Sequence, residues 1–344
     1  MGVQLSNIVQ PEKITFEELA GRLIGIDAFN TLYQFLSIIR QRDGTPLMDS
    51  KRRVTSHLTG LFYRTANFVD FGIKPVYIFD GKSPIQKADT QKERRATRTK
   101  AEEKWKEAKE SGDLAAARKY AQASSKLTGN MIEECKSLLD AMGIPWIQAP
   151  GEGEAQASWM CSKGDVWAVG SQDYDSLVYG TPRLLKNMAV SGKRKLPGRE
   201  QYVEVTPEII ELDSMLKDNE IDKNQLVLIS LLIGNDYEPG IKGIGPKKAL
   251  GLVKKYPSLD KLRDSEEVGK DLVEIGHLDE IQDLFVNPSV KKDYELVWEE
   301  PNADEIKKIL CDEYEFSEER IGNSLKKLEH AIKAGTQSKL ESFF

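Results

Sequence analysis

Seven acidic residues follow short apolar segments of this chain, and their placement indicates chemistry before any fold is known. They are Asp27, Asp80, Glu152, Glu154, Asp173, Asp175 and Asp236. Short apolar runs predict buried parallel strands, and ligands of open parallel sheets bind beyond the carboxyl ends of the strands. Carboxylates gathered there repel one another unless divalent cations neutralise them. The sequence therefore predicts a magnesium site.

The spacing of these acids suits more than one cation. Glu152 and Glu154 are two residues apart, as are Asp173 and Asp175, and extended backbone would place both members of a pair on one face. With three single acids, this layout suits two cations, which can activate water and stabilise the leaving oxygen in phosphodiester hydrolysis. Any one acid could instead be a helix N-cap at a strand end, but that alternative does not account for all seven.

The composition predicts an intracellular protein with an ordinary core. The 344 residues, 40% of them hydrophobic, are enough for one large domain or two smaller ones. No apolar run approaches the roughly 20 residues that span a membrane, and no signal peptide is visible, so we expect a cytoplasmic protein without a membrane partner. Three cysteines without a CxxC pair predict reduced thiols, and only three histidines favour oxygen-ligated cations over zinc.

The net charge of −6 conceals three basic segments. Residues 82–106 hold nine Lys and Arg against four acids, residues 183–199 hold six basic residues and no acid, and residues 242–255 hold five lysines and no acid. Separate basic patches around an acidic metal site favour a phosphodiester substrate. Chance clustering could explain one such patch, but it is a poor explanation for three.

Strand-like runs alternate with helical patterns, which predicts an α/β fold with a mostly parallel, twisted central sheet and helices on both faces. Residues 83–128 differ, because they are rich in Lys, Glu, Ala and Arg and poor in large apolar residues. Two polar helices, the second N-capped by Asp113, are predicted to stand off the body and contact a ligand. The alternative is a solvated, salt-bridged surface hairpin. Residues 127–142 then predict an amphipathic helix, and residues 190–202 an exposed loop or hairpin.

A glycine-rich turn follows the last acid and leads into a basic helix. Gly243 and Gly245 allow close backbone approach, Pro246 suits the first turn of a helix, and Lys247 and Lys248 come next. Exposed N–H groups at such a helix start can hold phosphate. This pattern predicts a helix–hairpin–helix-type grip on duplex backbone that reads no base sequence.

The end of the chain changes character again. Gln337 and Leu340 precede Phe343 and Phe344, and a single tight turn would gather them into one apolar cluster. Exposed phenylalanines reduce solubility unless a partner buries them. The alternative is a helix end docked on its own domain.

Five motifs, in this order and spacing, resemble the flap endonucleases, the structure-specific 5′ nucleases of replication and repair, and most closely the archaeal members. They are Gly25-Ile-Asp27-Ala, Tyr77-Ile-Phe-Asp80-Gly-Lys, Ala149-Pro-Gly-Glu152-Gly-Glu154-Ala, Ser171-Gln-Asp173-Tyr-Asp175-Ser and Gly234-Asn-Asp236-Tyr. The resemblance covers essentially the whole chain. It implies a PIN-like fold with a helical arch over residues 83–128.

The resemblance also implies roles for individual residues. The seven acids would bind two Mg²⁺ ions per active site, with Mn²⁺ able to substitute. Lys87 and Arg94 would contact the scissile phosphate. Tyr33 would stack on a base next to the cut, although it could equally be a core aromatic. Arg40 and Arg64 would touch backbone phosphate.

The implied activity is 5′ flap endonuclease cleavage, with 5′–3′ exonuclease activity, in Okazaki fragment maturation and DNA repair. The implied partners are 5′-flap and nicked or gapped DNA and the sliding clamp (PCNA), bound through the terminal cluster; the enzyme itself would be a monomer. The expected organisation is one nuclease domain over 1–335 (1–82 N-terminal nuclease region, 83–128 arch, 129–236 internal nuclease region, 237–257 duplex-binding element, 258–335 C-terminal helices) and a clamp-binding tail over 336–344.

Two residues depart from the family pattern. Arg52 stands where relatives commonly have glycine, so a positive φ there would add local strain. Asn235 stands where small hydroxyl residues are common, and we expect a mild effect.

Other functions are compatible with parts of the sequence. A Holliday-junction resolvase or a 5′–3′ exoribonuclease would share the acids, but the compact size and the terminal cluster favour the flap enzyme. A non-catalytic clamp-associated scaffold would have no use for seven mutually repelling acids. A toxin-like metal-dependent ribonuclease would be far shorter and would lack the basic hairpin element.

Overall fold

A seven-stranded sheet organises the computed structural model, which describes residues 2–82, 84–188, 192–195 and 202–341. The strands are β1 (Glu12–Lys13), β2 (Leu23–Asp27), β3 (Lys74–Phe79), β4 (Trp146–Gln148), β5 (Ala168–Gly170), β6 (Arg183–Lys186), β7 (Gly192–Lys195), β8 (Tyr202–Val205) and β9 (Glu208–Glu211). The order across the large sheet is β1-β9-β6-β5-β2-β3-β4. Only β9 and β1 join antiparallel, so the predicted mostly parallel sheet is confirmed.

The helices provide the connections between strands. They are α1 (Ala28–Ile38), α2 (Ser56–Asp70), α3 (Ala88–Glu110), α4 (Leu114–Ala123), α5 (Gly129–Ala141), α6 (Gly153–Lys163), α7 (Asp175–Val178), α8 (Leu212–Asn219), α9 (Lys223–Ile233), α10 (Pro246–Lys255), α11 (Leu259–Arg263), α12 (Gly269–Glu274), α13 (Leu278–Val286), α14 (Ala303–Lys307) and α15 (Glu318–Glu341). Short 3₁₀ helices lie at Glu17–Leu19 and Ile85–Lys87, and a π-helical turn at Lys308–Glu313. In the described part of the chain, no helix is long and apolar enough to cross a membrane.

Alternation along the central strands builds a core on each face of the sheet. Ile24 and Ile26 of β2 share one core with Tyr77 of β3, and α1, α2, α5 and α15 cover it. Val76 and Ile78 point to the opposite face, where α6 packs. The prediction of helices on both faces is therefore confirmed.

One predicted strand is wrong. The apolar run before Asp236 is the helix α9, not a strand, and it is buried in a third core with α8 and α10. Its start was readable, because Asp222 and Gln225 form a capping box at the helix N-terminus. A helix that is apolar on all sides is ordinary where every side is buried.

The α3–α4 hairpin is less detached from the body than its polarity predicts. Alanines allow close packing, and a Cβ on Gly44, in the turn after α1, would lie 2.7 Å from that of Ala121. Trp105 Nε1 donates a hydrogen bond of 3.2 Å to the carbonyl oxygen of Asp43 in the same turn. The predicted cap is present, since Asp113 accepts hydrogen bonds from two N–H groups of α4.

The C-terminal part packs back onto the body, as predicted. An irregular segment over residues 287–302 runs past the edge strand β4, where Glu299 N donates to Gly143 O at 3.0 Å. Beyond it, α15 packs against α2, so that Ile321 and Leu325 complete the first core. Part of the basic segment 183–199 forms β7, which pairs antiparallel with β8. This pairing agrees with the hairpin predicted for this region.

The structure describes the local environment of both residues that depart from the family pattern. Arg52 adopts φ +63°, so it carries the predicted backbone strain, on the order of 1 kcal/mol. At the position of the second departure, Asn235 Oδ1 accepts hydrogen bonds from Tyr237 N at 2.8 Å and Glu238 N at 3.1 Å. It fixes the turn that carries Asp236.

Candidate active site

The predicted acids converge on one cleft. Six of them line a cavity of about 1030 Å³ between the ends of the central strands and the α3–α4 hairpin; these are Asp27, Asp80, Glu152, Glu154, Asp173 and Asp236. Asp175 lies behind them, where its Oδ1 accepts a hydrogen bond of 2.6 Å from Val3 N. The sequence prediction that all seven would come together is in agreement with this geometry.

The strand ends position the first two acids. Asp27 is the last residue of β2 and the N-cap of α1, and its Oδ1 accepts from Asn30 N at 3.0 Å. Asp80 follows β3, and its Oδ1 accepts from Gly153 N at 2.7 Å. The alternative that an acid is a helix N-cap is thus correct for Asp27. Capping uses one carboxylate oxygen, and the other accepts a hydrogen bond from Ser171.

The two acid pairs are not on extended backbone, and that part of the prediction is wrong. Glu152 is the N-cap of α6 and Glu154 lies in the first turn of that helix. Asp173 lies in a bend, and Asp175 is the first residue of α7. The pairs meet the cleft because both helices begin at its rim, where helix dipoles also favour negative charge.

Burial makes ionisation of these acids costly. It is the main reason that the pKa of Asp175 is raised to about 7 and that of Asp80 to about 6, with Asp236 and Glu152 as the next causes. Burial and neighbouring acids likewise raise the pKa of Asp27, Glu154 and Asp173. Carboxylates in this state require compensating positive charge.

Lys87 and Arg94 supply part of that charge. Lys87 Nζ lies 2.5 Å from Glu152 Oε2 and 3.1 Å from Asp236 Oδ2. Arg94 donates to the other oxygen of Asp236. Burial opposes ionisation of Asp236, but Lys87 and Arg94 outweigh it and lower its pKa.

The donor set fits hard divalent cations. Every group in the cluster is a carboxylate, the ligand type that Mg²⁺ and Mn²⁺ prefer, and the mutual repulsion is what a cation would relieve. As the side chains of the described residues stand, no three acidic, histidine or cysteine groups are close enough together to hold an ion. Two of the acids are engaged with Lys87 and Arg94 instead.

Known proteins match this sequence over its full length. A flap endonuclease 1 from Thermococcus onnurineus is 53% identical over 346 residues, which span 100% of this chain and 99% of that protein. This chain belongs to the flap endonuclease family. It is therefore a nuclease, a hydrolase of a family that depends on divalent metal ions.

Further matches agree with membership of the flap endonuclease family. The XPG N-terminal domain matches residues 1–101 and the XPG I-region matches residues 143–236. The structure of flap endonuclease-1 from Methanococcus jannaschii superposes with a TM-score of 0.76 at 41% identity, over 97% of this chain and 100% of that one. The catalytic core of Rad2 in complex with a DNA substrate shares the fold, with a TM-score of 0.67 at 23% identity over 94% of this chain and 97% of that one.

Tyr33, which was expected to stack on a base, also lies at the cleft, whereas Arg40 and Arg64 are not among the residues that line it. The Tyr33 hydroxyl accepts from Arg98 at 3.1 Å. Arg40 directs its donors to the Leu36 and Gly44 carbonyls and to Ser125, and so fixes the turn after α1. Arg64 lies over the Phe68 ring, 5.9 Å from its centroid, away from the cleft.

The segment that was predicted to bind duplex DNA has the predicted local form. Gly243 adopts φ +84°, Gly245 is the N-cap of α10, and Pro246 occupies its first turn. Lys247 and Lys248 follow in the first turn of α10, and both are exposed to solvent. At the other end of the chain, Gln337 and Leu340 lie in the last turns of α15, which is described as far as Glu341. Phe343 and Phe344 lie outside the described residues.

Sequence reasoning missed the groups that orient the acids. Asn30 Nδ2 donates to Asp173 Oδ2 at 2.8 Å, and Ser171 Oγ donates to Glu154 Oε1 at 2.9 Å. Ser171 lies within an acidic motif and Asn30 lies close to one, and these positions in the sequence could have identified them. The contact of Val3 with Asp175 joins residues 172 positions apart and left no local signal.

Gly2 is expected to be intolerant of side chains. A Cβ on Gly2 would lie 2.8 Å from Asp175 Oδ2 and 3.1 Å from Asp173 Cβ, so Gly2→Val should displace Asp175 and lower kcat on a flap substrate by roughly tenfold or more. Single-turnover cleavage would measure this. Ser6→Val, at an exposed position nearby, is the matched control, and equal rates for both variants would contradict the expectation.

Proposed function

We propose that this chain is a structure-specific 5′ flap endonuclease with 5′–3′ exonuclease activity. It would hydrolyse DNA phosphodiesters near the junction of single and double strands, in Okazaki fragment maturation and repair. The observation that carries the proposal is the cleft itself, where buried acids on one side face basic residues of the α3–α4 hairpin on the other.

The seven acids are proposed to hold two Mg²⁺ ions, for which Mn²⁺ could substitute. Bound there, the ions would lower the pKa of the attacking water and stabilise charge on the leaving oxygen. The orienting groups Asn30 and Ser171 keep Asp173 and Glu154 aimed into the cleft. Rigid carboxylates reduce the reorganisation that accompanies catalysis.

Lys87 and Arg94 are proposed to bind the scissile phosphate. Both stand at the base of the hairpin, on the side of the cleft opposite the strand ends. Charge that develops on the phosphate in the transition state would be stabilised by two donors placed in a partly buried site. Tyr33, at the same cleft, offers a ring for a base next to the cut, and Arg98 beside it adds positive charge.

Duplex DNA is proposed to lie along the face that carries α10. The exposed N–H groups at its start, with Lys247 and Lys248, suit backbone phosphate without base contacts. One element would bind the duplex and another would bind the scissile phosphate. Because both are then needed, the enzyme would select junctions between single and double strands. We propose the same segments as units of function: arch over 83–128, duplex-binding element over 237–257, and nuclease regions around them.

The proposal predicts cleavage of labelled 5′-flap and gapped DNA in Mg²⁺ and none in EDTA. Single-stranded DNA of the same sequence should be cut at least tenfold more slowly, because it lacks the duplex that α10 binds. Gel analysis of the three substrates measures this. Equal cutting of flaps and single strands would remove the structure-specific claim and favour a single-strand exonuclease.

The terminal residues 336–344 are proposed to bind the sliding clamp PCNA. Deletion of residues 337–344 should abolish stimulation by the clamp while intrinsic activity on short flaps persists, because all seven acids and the basic residues of the cleft precede the deleted segment. Affinity measurements on the full-length and shortened chains would test this. Because clamp and nuclease share one DNA, tethering would amplify even weak tail binding; clamp binding that survives the deletion would refute the assignment.

A further inference from the structure

Lys87 and Arg94 engage the oxygens that the proposed metal ions would need. Lys87 Nζ contacts both Glu152 Oε2 and Asp236 Oδ2, and Arg94 takes the remaining oxygen of Asp236. Lys87 is buried, with 9% of its surface exposed, so it is not an incidental surface charge. Both bases belong to the hairpin, whereas Glu152 and Asp236 belong to the body.

A divalent cation bound to these acids would weaken their attraction for Lys87 and Arg94. Mg²⁺ binds oxygen at about 2.1 Å, and an ammonium group 2.5 Å from the same Glu152 oxygen would be placed against that ion with like charge. The ion and the ammonium group would therefore compete for the negative charge of Glu152 and Asp236.

The ion pairs also help to hold the base of the hairpin to the body. On the far side of the same base, Gln86 donates to Glu280 at 2.9 Å, an exposed contact. Arg98 reaches Tyr33, and the distal part of the hairpin is held separately by Trp105 at the turn after α1. Loss of the buried pairs would loosen the base, because the contact of Gln86 that remains there is exposed, while the distal contact is unaffected.

We propose that Lys87 and Arg94 are resident counter-ions of the metal-binding acids, and that divalent cations release them, with the hairpin base (residues 85–99), for contact with substrate phosphate. The inference rests on the metal-binding role proposed above. By reciprocity, a hairpin base docked on the acids weakens metal affinity by the same factor by which metal weakens docking. The DNA-free enzyme thus keeps its acids neutralised and its bases occupied until metal arrives.

Hydrogen exchange of the DNA-free protein tests the release directly. Amides of residues 85–99 should exchange faster in Mg²⁺ than in EDTA, while those of the distal α4 change little. In Lys87→Met, exchange at the base should already be fast in EDTA, with little further response to Mg²⁺. Unchanged or slower exchange of residues 85–99 in the unsubstituted protein on addition of Mg²⁺ would overturn the proposal.

Metal affinity supplies the second test. Titration calorimetry with Mn²⁺ should show roughly tenfold tighter binding to Lys87→Met, as expected for removal of one charge-assisted competitor. Lys92→Met removes the same charge from an exposed position of α3 and is the matched control. Equal tightening in both variants would mean a general charge effect and would also overturn the proposal.

A second variant protects the test against misfolding. Arg94 is half-exposed, so Arg94→Met is expected to fold normally and to show the same changes to a smaller degree. Flap cleavage by the unsubstituted protein is measured in parallel. Cleavage without release of the base refutes only this inference, whereas absence of Mg²⁺-dependent cleavage refutes the proposed function.

Discussion

Replacing Asp175 by asparagine is expected to lower flap cleavage by about three orders of magnitude or more while leaving flap-DNA binding largely intact. The substitution removes one negative charge from the acid cluster but keeps an oxygen that can accept from Val3 N. Loss of a single preorganised electrostatic group typically costs 10²–10³-fold, roughly, in rate, and loss of a metal ligand should cost more. Single-turnover rates and fluorescence anisotropy on the same flap substrate measure the two effects separately.

Asp175→Ala should be equally inactive, with an added loss of the Val3 contact. The matched control is Asp218→Asn, an exposed acid on α8 far along the chain from the acidic motifs, which should cleave normally. A fall in binding proportional to the fall in activity would count against a catalytic role for Asp175.

Metal-free protein is expected to become more stable as the pH falls from about 8 to about 6, by on the order of 3–5 °C in Tm. The pKa of Asp175 is raised to about 7 and that of Asp80 to about 6. An aspartate in the unfolded chain has a pKa of about 3.9. Folded protein therefore binds protons that unfolded protein does not, and folding gains from them as the pH falls through the folded pKa values. Above about pH 7 this contribution is lost.

Mg²⁺ should counteract the loss of stability at higher pH, because it stabilises the ionised acids. The rise in Tm on adding Mg²⁺ should be larger at pH about 8 than at pH about 6, where protons compete for the same oxygens. Calorimetry in EDTA and in Mg²⁺ gives both numbers. Asp175→Asn should be more stable than the unsubstituted protein in EDTA at the higher pH, and a metal-free Tm that falls between pH about 8 and about 6 would refute the interpretation.

The sheet and the gathering of the acids could be predicted because both follow from local pattern. β2 and β3 are continuous apolar runs that end at Asp27 and Asp80, and parallel strands bring such ends to one edge. The polar hairpin and the Gly243 to Pro246 turn were equally readable, since helix caps and glycine turns depend on neighbours in sequence.

The rest depended on contacts between distant residues. The i, i+2 spacing of Glu152 and Glu154 indicated extended backbone, but tertiary packing starts α6 between them. The run that precedes Asp236 is compatible with strand or helix by composition, and only its burial among α8 and α10 decides for helix. Nothing near Arg40 foretold that its donors would be taken up by the turn after α1 and by Ser125.

The packing of α15 against α2 has a consequence for how the nuclease is made. A ribosome releases the chain from its N-terminus at about 5–20 residues per second, so Asp27 and Asp80 emerge well before Asp236, and α15 begins only at Glu318. Until then the first core lacks Ile321 and Leu325, and the apolar face of α2 that they cover is open to solvent. A nascent chain therefore carries all seven acids before it can finish the core beneath α2, and that core is complete only after residues 318–325 have left the ribosome.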